Sequence, residues 1–364
     1  MASPSVLTDD FASVLSSTLR NYESKMADNI SRGNKLCAWL DSKGRWTTKS
    51  GGERIQIPLM HAQNNTADIY SGYGLLDTTP QEGITSAFYE WSQLSVSITI
   101  SELEIFQNGG KSRIFDLLNA KIMQAEVSGK ELLNNCIVAG YIAVSGASGS
   151  FTRRVGRLDT SAKGPLPLAA IIDITPTRSR TDIGNINPNT YGFWANQANS
   201  STATTFAGYK QELNNSYNDC AKGTGGSPDL FVSDQVAWET YWNSLQSQER
   251  YVVDDKRTLD VLGGSEALKF RGAAWIWDEV CPDTETNAEV VDAVGTHTVS
   301  TVFMINSQTL EFVTGAGKNW KTTPFVRPEN QDARVAQAIW YGALTCNNRR
   351  KNGQLYGISK SITA

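Results

Sequence analysis

The sequence is short of charge, of histidine and of closely spaced cysteine. Asp, Glu, Lys and Arg make up 19% of its 364 residues, below the roughly 25% usual in soluble domains. With 33 basic against 37 acidic residues the formal net charge is −4. That excludes a strongly basic nucleic-acid binder held by global phosphate neutralisation. Only two histidines occur, His61 and His297. Any His-based nucleophile triad has to use one of them, and no H-E-x-x-H zinc pattern exists. Five cysteines (Cys37, Cys136, Cys220, Cys281, Cys346) lie far apart without a C-x-x-C pair. Such scatter fits a reducing compartment rather than a disulfide framework or a zinc site. The longest apolar run, Cys136 to Val144, is nine residues, about half a membrane span. The first residues, with Asp9 and Asp10, carry no charged-then-apolar leader. A soluble cytoplasmic chain with no cofactor, metal or membrane partner is expected.

Two near-motifs fail on inspection. Gly315-Ala-Gly317-Lys318 lacks the earlier Gly of a phosphate loop, where Phe312 stands, and the Ser or Thr after Lys, where Asn319 stands. It reads as a turn. Asp283-Thr-Glu285-Thr-Asn287 lacks the Gly and the closing Glu of a calcium loop, having Ala288 and Val294 there. It reads as solvated loop. Paired carboxylates for glycoside hydrolysis stay open, because their separation is three-dimensional; Trp238, Trp242, Trp275 and Trp277 would then line a sugar groove or, alternatively, fill core and interface.

What the chain does have is ten Trp and thirty Gly. Aromatic content excludes a disordered chain. Many Trp with little charge point to a surface covered by something else.

Residues 1–31 read as an amphipathic helix, with Phe11, Val14, Leu15, Leu19, Tyr22, Met26 and Ile30 recurring at three or four residues. Arg20 to Arg54 is locally basic, with eight Lys or Arg against four acids, either a solvated arm or one facing a polyanion. Period two then takes over: Ile55, Ile57 and Leu59, and later Leu94, Val96, Ile98 and Ile100, alternate with other residues as half-buried antiparallel strands do. About thirty residues rich in Gly, Asn and Thr separate these runs, long for a compact domain. A two-stranded arm is marginal alone, so something outside must cover it. Gly110 to about Ala139 is a long helix whose stripe is Ile114, Leu118, Ile122, Ala125, Gly129, Leu132 and Cys136.

Ser145 to Gly156 reads as a boundary. Beyond it, Leu166–Ile174 (strand or short helix), a helix over Thr202–Ala221, a strand at Pro228–Ser233, a helix over Val236–Tyr251 and a strand region at Leu268–Val280 suit an α+β domain. Strands return over Val299–Val313. Arg334–Leu344 and Leu355–Ile362 flank Asn347–Gly353, read as a hairpin tip.

This order of elements resembles the major capsid proteins of tailed bacteriophages, the shell fold named after phage Hong Kong ninety-seven. Ile171-Ile-Asp-Ile-Thr-Pro176, Gly184-Asn-Ile-Asn187 and Tyr191-Gly-Phe-Trp194-Ala-Asn196-Gln197 are similar to a segment recurrent in that family. Phe303-Met-Ile-Asn306-Ser-Gln-Thr-Leu310 and Ala336 to Gly353 resemble its closing strands. The resemblance implies an N-terminal arm (1–52), an extended loop (53–102), a peripheral domain with a spine helix (103–150 and 303–364) and an axial domain (151–302). It implies a non-enzymatic major capsid protein that self-assembles into hexamers and pentamers of an icosahedral shell. That shell encloses double-stranded DNA through non-specific contact, in a virion assembled in the host cytoplasm. Leu59, Tyr89, Trp91, Arg349 and Arg350 are the expected subunit-interface residues. The arm begins at residue 1 and leaves no room for the scaffolding segment of about a hundred residues that some relatives carry, unless this is the processed chain, so a separate scaffolding protein is expected, with a portal. No Lys lies between Lys49 and Lys111, so a non-covalent shell, with a cement protein, is expected instead of cross-linking through the loop. The alternatives are an encapsulin-like compartment of the same fold and a carboxylate-dependent glycoside hydrolase.

Overall fold

The computed structural model describes residues 35–107, 117–142, 153–154, 164–179, 181, 183–245, 268–281, 300–359 and 362. The expected N-terminal helix, the first turns of the long helix (110–116), most of the 145–156 boundary, the 283–294 acidic loop and His297 lie outside them. The described chain opens with helix α1 (Lys35–Ser42) and strands β1 (Trp46–Lys49), β2 (Ile55–Met60), β3 (Ile84–Tyr89) and β4 (Ser92–Ser101). A short helix α2 (Glu102–Gln107), the long helix α3 (Leu117–Ile137) and the ribbon β5 (Tyr141–Ile142) with β6 (Arg153–Arg154) follow. Next come α4 (Leu168–Ile171), β7 (Gln197–Ser200), α5 (Phe206–Ala221), β8 (Leu230–Ser233), α6 (Gln235–Leu245), β9 (Leu268–Phe270) and β10 (Ala273–Trp277). Strands β11 (Ser300–Ile305), β12 (Leu310–Gly315), β13 (Lys321–Thr322), β14 (Ala333–Cys346) and β15 (Gly353–Ile358) close the chain.

The chain divides into two compact units. In the larger, which takes in residues up to 95, 129–321 and 339 onward, six strands form a mixed sheet in the order β7-β15-β11-β8-β10-β9. Every residue of β8 and β11 is buried. Both faces of this sheet are covered, which is why these strands read as apolar runs instead of alternating. Phe231, Trp275, Val302, Met304 and Leu355 point to one side, against Tyr209, Leu213 and Tyr217 of α5 and Ala237 and Tyr241 of α6. Leu230, Val232, Ala274, Ile276, Phe303 and Ile305 point to the other, against α1, α4 and the end of α3. Thr205 caps α5 by accepting a hydrogen bond from the Gly208 backbone at 3.2 Å. The Trp-lined groove of the hydrolase alternative loses its Trp275, which is fully buried.

The same unit pairs β12 with β1 in parallel and with the second half of β14 antiparallel. Trp340 is fully buried and stacks on Phe312 at 5.7 Å. A Cβ at Gly342 would stand 2.4 and 2.7 Å from Trp340 ring atoms and 2.7 Å from the Val313 carbonyl oxygen. Backbone cannot yield as a flexible side chain does. Gly342→Ala is therefore expected to lower stability by about 2–3 kcal/mol, read as a fall in the denaturant midpoint at unchanged slope.

In the smaller unit, which includes 96–128 and 322–338, β4 pairs β14. Ile98, Ala125 and Ala336 form its core, with Val96 and Ile122 against it. The long-helix stripe holds where it is described: Ala125, Gly129 and Cys136 are buried.

Three expectations change. The partner of β2 is β3, in register from Ile55↔Tyr89 to Met60↔Ile84, whereas the 94–101 run pairs β14. Ile84-Thr-Ser-Ala-Phe-Tyr89 lacks a clean period of two in sequence, and its exposure does not alternate cleanly either. The 347–353 stretch is not a hairpin tip: β14 and β15 sit in different sheets, and the stretch crosses between them through a 3₁₀ turn at Arg349–Lys351. With that crossing, β11 and β15 join the sheet of β7–β10, although 303–364 was expected with the spine helix. The Gly315–Lys318 turn is as expected, the Lys318 backbone N–H donating to the Gly315 carbonyl at 3.0 Å.

Candidate functional site

Strands β2 and β3 carry the chain out into a long loop, 61–83, that has no strand or helix. The base of this hairpin is fixed by its own chain. Ile55, Leu59, Ala87 and Tyr89 are buried in the larger unit's core. The Tyr89 hydroxyl donates to the Cys346 carbonyl at 2.6 Å, and the Phe88 N–H donates to the Gly184 carbonyl at 3.1 Å. Gly184 has φ +69°, and a Cβ there would lie 2.9 Å from the Trp194 ring and 3.0 Å from Ala87 Cβ. Only glycine suits that crossing. At the far end the His61 N–H donates to the Gly83 carbonyl at 2.9 Å, and the His61 ring stacks on Phe193 at 5.1 Å.

At and past that clasp several large apolar side chains have no cover among the described residues. Met60, Ile69, Tyr70, Tyr73, Leu75, Leu76 and Ile84 are all exposed, Tyr73 and Leu75 completely so. The loop is shaped by short-range bonds instead. The Thr66 N–H donates to Asn64 Oδ1 at 2.9 Å, the Thr79 N–H to Asp77 Oδ1 at 2.9 Å, and the Gly74 N–H to the Ser71 carbonyl at 2.9 Å. The bonds from the Thr79 side chain and backbone hold the Asp77 carboxyl below the usual range. Asp68, Asp77 and Glu82 face no Lys or Arg anywhere from 55 to 110. So many large apolar side chains exposed along one loop mark a binding surface.

The expected interface residues fall in different places. Leu59, Tyr89 and Arg349 are buried by their own chain, so their burial needs no neighbour. Arg349 sits in the crossing between the sheets, its Nε donating to the Ile171 carbonyl at 2.8 Å and its Nη2 to Asn196 Oδ1 at 3.0 Å. Trp91 is half-buried and donates to the Gly52 carbonyl at 2.9 Å. Arg350 is exposed. The loop's apolar residues, which the sequence reading did not name, form the more open surface. The signal was present: large apolar side chains embedded in a Gly-, Asn- and Thr-rich stretch without cations.

No group of three or more His, Cys, Asp or Glu able to hold a metal occurs among the described residues. All five cysteines are buried thiols. Burial pushes Cys220 and Cys346 up to about 12 and Tyr89 well above the usual phenol range. The sign follows from linkage. An unfolded thiol loses its proton near 8.5, while the folded one keeps it to about 12, so stability present below 8.5 is lost as pH rises through that window. Between pH 8 and 10 the urea midpoint should fall, with up to about 2 kcal/mol lost per thiol. A midpoint unchanged over that range would contradict this.

The chain is similar in structure to several solved proteins. Against the cyanophage A-1(L) capsid asymmetric unit the TM-score is 0.65 at 12% identity, over 93% of this chain and 97% of that one. Against the holo-SrpI encapsulin complex from Synechococcus elongatus it is 0.56 at 10% identity, over 100% and 99%. Against the capsid of cyanophage P-SCSP1u it is 0.52 at 10% identity, over 96% and 94%. No protein-family model and no curated protein sequence matches the chain. The chain thus has a shell-subunit fold, in mixed helix and sheet. More particularly, it is the fold of tailed-phage capsid subunits, the Hong Kong ninety-seven type, matched over nearly the full length of both chains.

Proposed function

We propose that this chain is a major capsid protein that assembles through its extended loop into hexamers and pentamers of an icosahedral shell around double-stranded DNA. The observation that carries the proposal is the uncovered apolar loop at 61–83, fixed at its base and open at its tip, on a chain with a shell-subunit fold. A neighbouring copy supplies the missing cover, as strand and loop addition does in other assemblies. The role is structural rather than catalytic. DNA contact is electrostatic and blind to sequence, and a net charge of −4 suits a wall that does not grip its contents. A separate scaffolding protein, a portal and a cement protein complete the assembly, which takes place in the host cytoplasm before the chain resides in the virion capsid. Interface contacts from Trp91 and Arg350 belong to the same proposal.

Purified protein examined by light scattering and negative-stain microscopy should show megadalton spheres or capsomers. Elution as a 40 kDa monomer at micromolar concentration, with glycan hydrolysis lost on mutating one Asp or Glu, would sink the shell and revive the hydrolase. A second reading is favoured by the full-length likeness to an encapsulin: the same shell closed around protein cargo. Nuclease-protected DNA inside recombinantly or natively produced particles separates the two.

A further inference from the structure

The basic stretch that ends at Arg54 and the Gly315–Lys318 turn lie far apart in sequence, and the larger unit joins them. Strand β1 pairs β12 in parallel from Trp46↔Phe312 to Lys49↔Gly315, and the Ala316 N–H donates to the Lys49 carbonyl at 2.9 Å. Alternation along the strand places Arg45, Thr47 and Lys49 on one face, where the Thr47 hydroxyl donates to Glu311 Oε1 at 2.5 Å. Beyond Gly315, which has no side chain to intervene, Lys318 Nζ stands over the Tyr341 ring at 5.4 Å. Trp320 has φ +48°, a conformation that a bulky residue rarely adopts, and the chain turns there so that Lys321 opens β13. Strain of this kind collects at functional sites. Lys43, Lys318 and Lys321 are exposed and Arg45 and Lys49 partly so. None of the five forms an ion pair among the described residues. Every charge in 41–53 and 311–321 counted, these five cations stand against Asp41, Glu53 and Glu311, a net of +2 on a chain whose total is −4.

We propose that this basic face is where the 61–83 loop of a second copy docks. The proposal rests on the reading that a neighbouring copy covers the loop, and it names the surface that does so. Charge complementarity selects the occupant. The loop carries Asp68, Asp77 and Glu82 with no Lys or Arg, a net of −3, and opposite potentials across an interface fix partner and register. The partly exposed rings of Trp46, Trp320 and Tyr341 offer the flat apolar area that Tyr70, Tyr73 and Leu75 lack in their own chain. Loop and basic face are different surfaces of one subunit, so the contact is head-to-tail, the kind that closes copies into rings.

The test mixes full-length copies of natural and heavy-nitrogen isotope composition under assembly conditions. A carbodiimide then joins carboxylates to lysine amines in direct contact. Mass spectrometry should find Asp68, Asp77 or Glu82 linked to Lys49, Lys318 or Lys321 in peptide pairs of mixed isotope. Loop carboxylates linked to other lysines, linked only within one copy, or not linked at all overturn the proposal. Lys318→Glu with Lys321→Glu, both exposed positions, should cut particle yield about tenfold or more, because like charges across an interface are strongly disfavoured. Asp68→Lys with Asp77→Lys should do the same, and the four changes together should restore the yield; no restoration overturns the pairing. Circular dichroism checks that each variant has folded. Particles formed at parental yield by the Lys318→Glu, Lys321→Glu chain but protecting no DNA would assign the face to nucleic-acid phosphates instead and overturn the proposal. A parent chain that stays monomeric defeats the shell reading itself, whereas a parent that assembles with an indifferent basic face defeats this inference alone.

Discussion

A chain lacking Asn64–Gln81 should fold normally and form no closed particles. The cut leaves Ala62, Gln63 and Glu82 to close the turn and keeps the His61 to Gly83 hydrogen bond at 2.9 Å. It also keeps every paired position from Ile55↔Tyr89 to Met60↔Ile84. Ile55, Leu59, Ala87 and Tyr89, which attach the hairpin to the core, are untouched. Shortening the connection lowers closure entropy by about 1 kcal/mol, so the melting temperature should stay the same or rise slightly.

The loss is all outside the subunit. Ile69, Tyr70, Tyr73, Leu75 and Leu76, between 63% and 100% or more exposed, go with the cut. Fully burying side chains of this size contributes about 1.5–3 kcal/mol each, so the contact forfeits on the order of 10 kcal/mol gross per copy before ordering costs. Sedimentation velocity should find only monomers or isolated capsomers where the intact chain gives megadalton species. Normal particles from the shortened chain would show that the loop is not the assembly element. Leu75→Asp is the milder version, expected to slow or weaken assembly with no change in the unfolding midpoint.

Much of this fold could be read from residue order because its strands and helices have strong periods. β2 and β4 keep the alternation seen in Ile55, Ile57 and Leu59 and in Leu94 to Ile100, and Thr205 starts α5 within a few residues of the expected place. Pairing was harder to read. Period two tells which face of a strand is buried and says nothing of which strand lies beside it. β2 therefore had two candidate partners, and the less regular β3 is the true one. The 347–353 crossing looks like a hairpin tip in sequence for a related reason. Asn, Arg and Gly are common in hairpin tips, yet here Arg349 and Lys351 are buried, 1% and 2% exposed, and charged residues enter a core only where backbone carbonyls meet them. Apolarity alone does not tell cover within the chain from cover by a neighbour. Leu59 and Tyr89 are covered within the chain, and the side chains left over stand in the part of the loop that has no period to read.

Lys351→Met should be the most damaging single substitution at that crossing. The Lys351 ammonium donates to four carbonyls, those of Ala221 at 3.3 Å, Lys222 at 3.0 Å, Gly223 at 3.0 Å and Gly226 at 3.2 Å. They belong to the last turn of α5 and the glycine loop after it, where Gly223, Gly225 and Gly226 all have φ above +80°. The cation thus closes the negative end of the helix and folds the loop back on itself. Burial, and then Arg350, lower the pKa of Lys351, which means that the site holds its charge against a desolvation cost and depends on those carbonyls to offset it. Methionine fills the same volume but leaves the carbonyls without a donor. Removing one side of such a buried charged contact costs about 3–5 kcal/mol, equivalent to a fall of about 5 °C in melting temperature for a chain of this length. Arg350→Ala, one position away and exposed, should change stability by less than about 0.5 kcal/mol. Thermal unfolding of the two variants beside the parent decides the matter. Equal melting temperatures for Lys351→Met and the parent would mean that α5, β15 and the glycine loop hold together without the cation.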